Sequence, residues 1–175
     1  MKKTAADFAI IGVKDLPRLR KKYRNKRIVF CTGCFDLTHV GHVLFFEDCK
    51  KQGDILVVCV SDDALVRKYK KGRPILNEQV RLKMVASLKP VDYCFLQPKF
   101  SFERPEEIND WMGNIFVKLR PDVYVINDDA NGIPRRKKIL KEHPYVEMCI
   151  LKRTAPKKFK KISSSGIIEK IRKAA

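Results

Sequence analysis

The stretch from residue 27 to residue 46 is the feature that most limits what this chain can fold into. Its apolar, β-branched start, Ile28 to Cys31, predicts a buried strand. Gly33 ends that strand, and a helix is predicted to begin near Val40. A buried strand followed by a short turn and a helix is typical of α/β proteins.

Two histidines lie in the turn before that helix. His39 and His42 flank Gly41, a residue without a side chain that lets a ligand approach the backbone closely. Imidazoles beside the N–H groups at a helix N-terminus can bind a chain of phosphates. His39 can also be a helix cap or a core histidine. The arrangement indicates nucleotide chemistry.

The rest of the chain alternates predicted strands and helices. Strands are predicted at 28–32, 55–60, 91–96, 122–126 and 146–151, and helices at 14–25, 40–52, 62–69, 78–88, about 104–119, 134–142 and 164–173. This alternation predicts a single Rossmann-like α/β domain, a parallel five-stranded sheet with helices on both faces. We expect an N-terminal helical extension over residues 1–26 and the main domain over 27–175.

Composition narrows the class of protein. A hydrophobic content of 45% with 33% charged residues is typical of a globular domain. No apolar run approaches the roughly 20 residues of a membrane helix, so we expect a cytoplasmic protein without membrane contact. The net charge of +18 indicates polyanionic partners, either nucleic acid or a nucleoside triphosphate with a phosphorylated substrate. Many of these lysines can equally form a solvated surface.

The cysteines give weaker evidence about function. Cys31 and Cys34 have the spacing of a zinc knuckle or a redox pair, but no second ligand pair accompanies them. Three further cysteines lie in apolar runs, where a cysteine acts as a small hydrophobic residue: Cys59, Cys94 and Cys149. We therefore predict no protein metal site.

Polar residues follow four of the predicted strands. In open α/β sheets, ligands bind beyond the carboxyl ends of the strands, at the point where the strand order reverses. The four clusters are Thr32 to Cys34, Ser61 to Asp63, Asn127 to Asp129, and Arg153 with Thr154. A basic loop with Lys68, Lys70, Lys71 and Arg73 lies within reach and can close over a bound phosphate chain.

These residues also carry a family resemblance. Thr32-Gly-Cys-Phe-Asp, followed by His39-Val-Gly-His42, resembles the HxGH motif of the cytidylyltransferase-like nucleotidyltransferases. Residues 71–75, Arg81 and 90–93 resemble the heptose-phosphate adenylyltransferase branch. Residues 127–129, 153–154 and 162–165 resemble elements of the glycerol-phosphate cytidylyltransferases. The resemblance extends from about residue 14 to residue 171.

The resemblance implies transfer of a nucleotidyl group from a nucleoside triphosphate to a sugar or polyol phosphate, with release of pyrophosphate. It favours ATP over CTP as donor, and implies Mg²⁺ bound with the triphosphate and a homodimer. The implied catalytic residues are His39, His42, Lys68 and Lys71. Those implied to bind nucleotide or phosphate are Thr32, Gly33, Cys34, Phe35, Gly41, Arg73, Arg81, Asn127, Asp128, Asp129, Arg153, Thr154, Ser163 and Ser164. Asp36 either contacts substrate or stabilises the turn.

The chain departs from the family where base and acceptor would be recognised. Ala130 replaces a frequent tryptophan, and a lysine-rich spacer at 155–161 is longer than the family's short link. Two alternatives therefore accompany the enzyme hypothesis. One is a basic nucleic-acid-binding domain, which leaves both motif histidines unexplained. The other is a nucleotide-binding relative without turnover.

Overall fold

A parallel sheet of five strands lies at the centre of this computed structural model, which describes residues 4–104, 106–152, 159 and 162–174. The strands are β1 (Ile28–Gly33), β2 (Ile55–Val60), β3 (Tyr93–Leu96), β4 (Val123–Asn127) and β5 (Glu147–Leu151). Their order across the sheet is β3-β2-β1-β4-β5, and all pairs are parallel. The predicted Rossmann-like architecture is confirmed.

The helices follow the predicted alternation. They are α1 (Ala5–Ala9), α2 (Leu16–Lys22), α3 (Val40–Lys50), α4 (Asp63–Tyr69), α5 (Glu78–Ala86), α6 (Glu107–Leu119), α7 (Ile133–Lys141) and α8 (Ser164–Ala174). The sequence did not predict α1, which at five residues is too short for a helical periodicity. The predicted helix 14–25 divides into a 3₁₀ turn and α2, because Pro17 favours a helix start at this point.

Side chains alternate across the sheet and fill two separate cores. On one face, Val29 and Cys31 of β1 pack with buried residues of α3 and α5. On the other face, Phe30 packs with buried residues of α2, α6 and α7. All three of these β1 side chains are fully buried, which explains the continuous apolar run in the sequence.

The segment predicted as an N-terminal extension shares both cores. Leu16 and Leu19 are buried with the α6 face of the sheet. Ala9 and Ile10 pack against the other face, and Ile10 forms a parallel bridge with Cys94 of β3. The described part of this segment therefore covers the sheet rather than projecting from it.

The strand order reverses between β1 and β4. From β1 the chain continues to β2 and β3 on one side, then crosses to β4 and β5 on the other. A crevice opens at such a reversal, beyond the carboxyl ends of the two central strands. The polar residues that follow β1 and β4 therefore border the same crevice.

Arg81 on α5 ties together the loops at that edge. Its guanidinium, fully buried, donates to the carbonyl oxygens of Cys34 and Ser61, which follow β1 and β2. It also donates to the Asp63 carboxylate at 2.7 Å and to the Leu76 carbonyl at 3.0 Å. The expectation that Arg81 binds phosphate is corrected, because its guanidinium is enclosed and committed to these partners.

We predict that Arg81→Gln lowers the free energy of unfolding by about 3–5 kcal/mol, because it leaves the partly buried Asp63 carboxylate and three loop carbonyls without their donor. Arg67→Gln, at an exposed position on neighbouring α4, serves as the matched control and should change stability by less than about 0.5 kcal/mol. Urea denaturation of the three proteins measures both values. Equal stability of the two variants would contradict this role.

Candidate active site

A cavity of about 560 Å³ opens at the carboxyl ends of β1 and β4. Most of the predicted site residues line it, namely Thr32, Gly33, Cys34, Phe35, Asp36, Gly41, His42, Arg73, Asn127, Asp129, Ser163 and Ser164. The crevice at the strand reversal and the motif residues thus coincide, as the strand-end argument predicts.

The turn between β1 and α3 is held in an uncommon backbone conformation. Phe35 and Leu37 both have φ of 50°, in the left-handed region that non-glycine residues seldom adopt. Asp36 between them accepts hydrogen bonds from the backbone N–H groups of Ile75 and Leu76, both at 2.9 Å. The Arg73 Nε donates to the same carboxylate at 2.6 Å. The loop before α5 therefore clamps the turn, and Asp36 is a turn-stabilising residue.

These donors stabilise the ionised form of the Asp36 carboxyl. Burial by itself raises the pKa of this carboxyl. The N–H groups of Ile75 and Leu76 and the Arg73 guanidinium outweigh burial, so the pKa lies below its usual value. Asp36 is therefore a carboxylate at neutral pH. Arg73 also lines the cavity, and its Nε forms the ion pair with Asp36.

The two motif histidines stack on one another at the start of α3. Their ring centroids are 4.0 Å apart, at an interplanar angle of 21°. His39 is the N-cap of α3, since its Nδ1 accepts the N–H of Gly41 at 3.1 Å. A Cβ at Gly41 would lie 2.9 Å from the His39 ring, so glycine is required for this fold-back. Phe35 meets the His42 ring edge-on at 5.6 Å.

A second helix N-terminus meets the same turn. Ser164, at the start of α8, donates from its Oγ to the Asp36 carbonyl at 2.7 Å. Ser163 caps α8 by accepting the Gly166 N–H at 3.1 Å. The N-terminal ends of α3 and α8, both partially positive, therefore converge on the cavity beside His42. This arrangement stabilises an anion such as a phosphate chain.

The basic loop after α4 differs from expectation in detail. Lys68 lies over the Phe102 ring, with its Nζ 4.2 Å from the centroid, and is not part of the cavity wall. Lys71 is also outside the wall, whereas Lys70 and Tyr69 form part of it. Among the described residues of this loop, Lys70 and Arg73 are the cations in the cavity wall, and the catalytic assignment of Lys68 and Lys71 stays a prediction.

The residues after β4 divide between wall and surface. Asn127 and Asp129 line the cavity, and Asp128 does not. Arg153 and Thr154 lie outside the described residues.

Sequence reasoning missed a further part of the wall. It comes from the end of β3 and the first turns of α6 and α7, and includes Gln97, Trp111, Met112, Arg135 and Arg136. The strand-end rule was not applied to β3, which Gln97 follows directly, and it did not consider the first turns of the helices, which lie at the same edge. Trp111 contributes to both the core and the cavity.

The described residues contain no group of three or more His, Cys, Asp or Glu side chains arranged to hold a metal ion. Within the same residues, no helix has the length and apolar character that crossing a membrane requires.

Comparison with known proteins shows which family the chain belongs to. A family model described as cytidylyltransferase-like matches residues 30–170. The chain belongs to the cytidylyltransferase-like family. The predicted family is confirmed.

One curated relative is a bifunctional protein HldE of Aliarcobacter butzleri, 36% identical over 134 residues, which are 74% of this chain and 26% of that protein. The chain spans between 20% and 26% of the length of this and two further HldE relatives.

Solved structures agree on the fold. A lipopolysaccharide core biosynthesis protein from Thermoplasma volcanium is 27% identical with a TM-score of 0.58, over 75% of this chain and 98% of that one. A pantoate-beta-alanine ligase from Francisella tularensis is 14% identical with a TM-score of 0.62, over 91% and 72% of the two chains, and supports the fold alone.

We predict that Asp36→Asn lowers the free energy of unfolding by about 2–4 kcal/mol near pH 7, because the buried Arg73 loses its counter-charge. Since the folded-state pKa of Asp36 is depressed, its contribution is complete above the unfolded carboxyl pKa of about 3.9 and is lost as the pH falls through the folded-state value. The stability difference between wild type and variant should therefore be constant from pH 5 to 8 and shrink in stronger acid. Thermal denaturation across this pH range measures it.

Asp48→Asn is the control, since Asp48 forms a more exposed pair with Lys51 on the surface of α3. A difference between Asp36→Asn and wild type that grows as the pH falls would contradict this account.

Proposed function

We propose that this protein transfers a nucleotidyl group from a nucleoside triphosphate to a sugar or polyol phosphate and releases pyrophosphate. The observation that carries the proposal is the stacked pair His39 and His42 at the start of α3, together with the start of α8, which Ser164 holds at the same turn. Two helix N-termini and the His42 imidazole, on which the His39 ring stacks, lie at one end of a cavity and favour a ligand with several adjacent negative charges. A triphosphate chain has this character.

The proposed reaction needs no covalent enzyme intermediate. A phosphate oxygen of the acceptor attacks the α-phosphorus, the bond from that phosphorus to the bridging oxygen of the β-phosphate breaks, and pyrophosphate leaves with the electron pair. The protein then has to align the two phosphates and stabilise the negative charge on the α-phosphoryl oxygens. In this proposal His42, which lines the cavity, donates to those oxygens, and Lys70 and Arg73 offset the remaining charge.

Mg²⁺ is proposed as the ion of the triphosphate. An ion of this kind is held chiefly by phosphate oxygens and water, with few protein ligands. Bound in this way, it would neutralise part of the charge on the leaving pyrophosphate.

We favour ATP over CTP as donor. The support is the resemblance of residues 71–75 and 90–93 to heptose-phosphate adenylyltransferases, together with the HldE relatives. A glycerol-phosphate-type cytidylyltransferase is the alternative, favoured by residues 127–129 and 162–165. We further propose a cytoplasmic homodimer, on the family resemblance.

Pyrophosphate release tests the proposal with ATP, CTP, GTP and UTP, each combined with a heptose 1-phosphate, glucose 1-phosphate or glycerol 3-phosphate in the presence of Mg²⁺. We expect release with ATP that depends on the added phosphate monoester. Release with CTP and glycerol 3-phosphate instead would favour the alternative. No release, no thermal stabilisation by any triphosphate, and clear stabilisation by DNA or RNA would overturn the enzyme hypothesis.

The capping and chemical roles of His39 can be separated by two substitutions. Asparagine is a good N-cap, so His39→Asn should retain stability, whereas His39→Ala should lose about 1 kcal/mol. If the imidazole acts on the phosphates, both variants should lower kcat by about a hundredfold or more. Thermal denaturation and steady-state kinetics measure the two effects. Full activity in His39→Asn would leave His39 with a capping role alone.

A further inference from the structure

The part of the cavity that sequence reasoning missed contains an unusual tryptophan. Trp111 on α6 is only 9% exposed and belongs to the core cluster, where the Phe100 ring contacts it edge-on at 6.0 Å. Trp111 is also one of the residues that line the cavity. The indole Nε1 is buried, and among the described residues it has no hydrogen-bond acceptor. A buried donor without an acceptor is costly, so such a group in a cavity wall points to an acceptor supplied by a ligand.

An arginine on α7 forms the same part of the wall. Arg135 lines the cavity, and its Nε is buried without a hydrogen-bond partner among the described residues. The adjacent Arg136 is different, because its Nε donates to the Tyr124 hydroxyl at 2.9 Å and its Nη1 donates to the Asn131 carbonyl. Arg136 is therefore held in place by the protein, and Arg135 offers the guanidinium that a ligand can use.

Apolar side chains surround these two donors. Ile108 and Met112 of α6 and Ile126 of β4 complete this part of the wall. An apolar surface with an indole N–H and a guanidinium suits a ligand that has C–H faces, a hydroxyl group and an anionic group. A sugar or polyol phosphate has all three. A nucleotide base has apolar faces and a hydrogen-bonding edge, but it carries no charge for Arg135 to bind.

We propose that Trp111 and Arg135 form the subsite for the acceptor, in which the indole N–H donates to an acceptor hydroxyl and the guanidinium binds the acceptor phosphate. This inference rests on the proposed function, because it names the acceptor's place in the same cavity. It assigns the nucleotide phosphates to the His42 side and the acceptor to the α6 and α7 side.

Trp111 is the single tryptophan of the chain, so its fluorescence reports directly on this subsite. The first experiment titrates the full chain with glycerol 3-phosphate, with a heptose 1-phosphate and with propyl phosphate, in the presence of Mg²⁺ and the non-transferable analogue α,β-methylene-ATP. We expect a saturable change in indole emission with one of the two hydroxylated phosphates. Propyl phosphate, which has no hydroxyl group, should bind at least tenfold more weakly.

Two variants test the assigned contacts. Arg135→Gln should weaken binding of the hydroxylated phosphate about tenfold or more in the fluorescence titration, since a hydrogen bond to a charged group is lost. Lys137→Gln, which removes one charge from an exposed position on the same helix, is the matched control and should bind as wild type does. Trp111→Phe keeps an aromatic ring and removes the N–H, so it should raise KM for the acceptor several-fold and leave KM for the triphosphate unchanged.

The outcomes separate this inference from the proposed function. Fluorescence binding that depends on Arg135, without pyrophosphate release, would retain the subsite and overturn the transfer reaction. Turnover in which Arg135→Gln and Trp111→Phe leave the acceptor KM unchanged would retain the reaction and overturn the subsite. A rise in KM for the triphosphate instead would assign this part of the cavity to the base.

Discussion

The site depends on a buried charge network that fixes one turn. The β1–α3 turn contains two left-handed residues, Phe35 and Leu37, a conformation that a free loop would seldom adopt. Asp36 inside the turn binds Arg73 and two backbone N–H groups, while Arg81 binds the carbonyl of Cys34 from below. Removing the side chain of either Asp36 or Arg81 would leave buried groups without partners. The network therefore holds together the turn, the loop before α5 and the end of β2.

The position of the helices follows from this network. Because the turn is fixed, α3 begins at a defined point and His39 can fold back onto Gly41. The carbonyl of Asp36 accepts from Ser164, which brings the N-terminus of α8 to the same place. Two partial positive charges and an imidazole pair are thus assembled before any ligand arrives. Preorganised donors of this kind stabilise charge without a cost of reorganisation at the moment of reaction.

Two features were predictable from the sequence for identifiable physical reasons. They are the fold and the position of the β1–α3 motif at the edge of the cavity. Strands buried on both faces are continuous apolar runs, and residues that commonly cap helices, Asn77 before α5 and Ser163 before α8, accept backbone N–H groups there. The sequence failed at Arg81, because an arginine near a helix N-terminus can bind a phosphate or its own loops, and only tertiary packing decides between them.

The same limit applies to the loop lysines and to the α6 and α7 wall. Lys68 and Lys70 are two residues apart in the basic stretch, yet Lys68 contacts the Phe102 ring and Lys70 lines the cavity, a difference that depends on tertiary contacts. Trp111 has the pattern of a core residue, and it is one. Its position in the cavity wall depends on the crevice at the strand reversal. No local sequence pattern specifies the order of the strands.

The central claim is that an acceptor phosphate oxygen attacks the α-phosphorus of a nucleoside triphosphate held at the β1–α3 turn. Isotope labelling tests it most directly, with a heptose 1-phosphate carrying ¹⁸O in its non-bridging phosphate oxygens and unlabelled ATP as substrates. Mass spectrometry and ³¹P NMR of the products should show all of the label in the new sugar nucleotide, including its bridging oxygen, and none in the pyrophosphate. Label in the pyrophosphate, or a product whose bridging oxygen is unlabelled, would contradict the account.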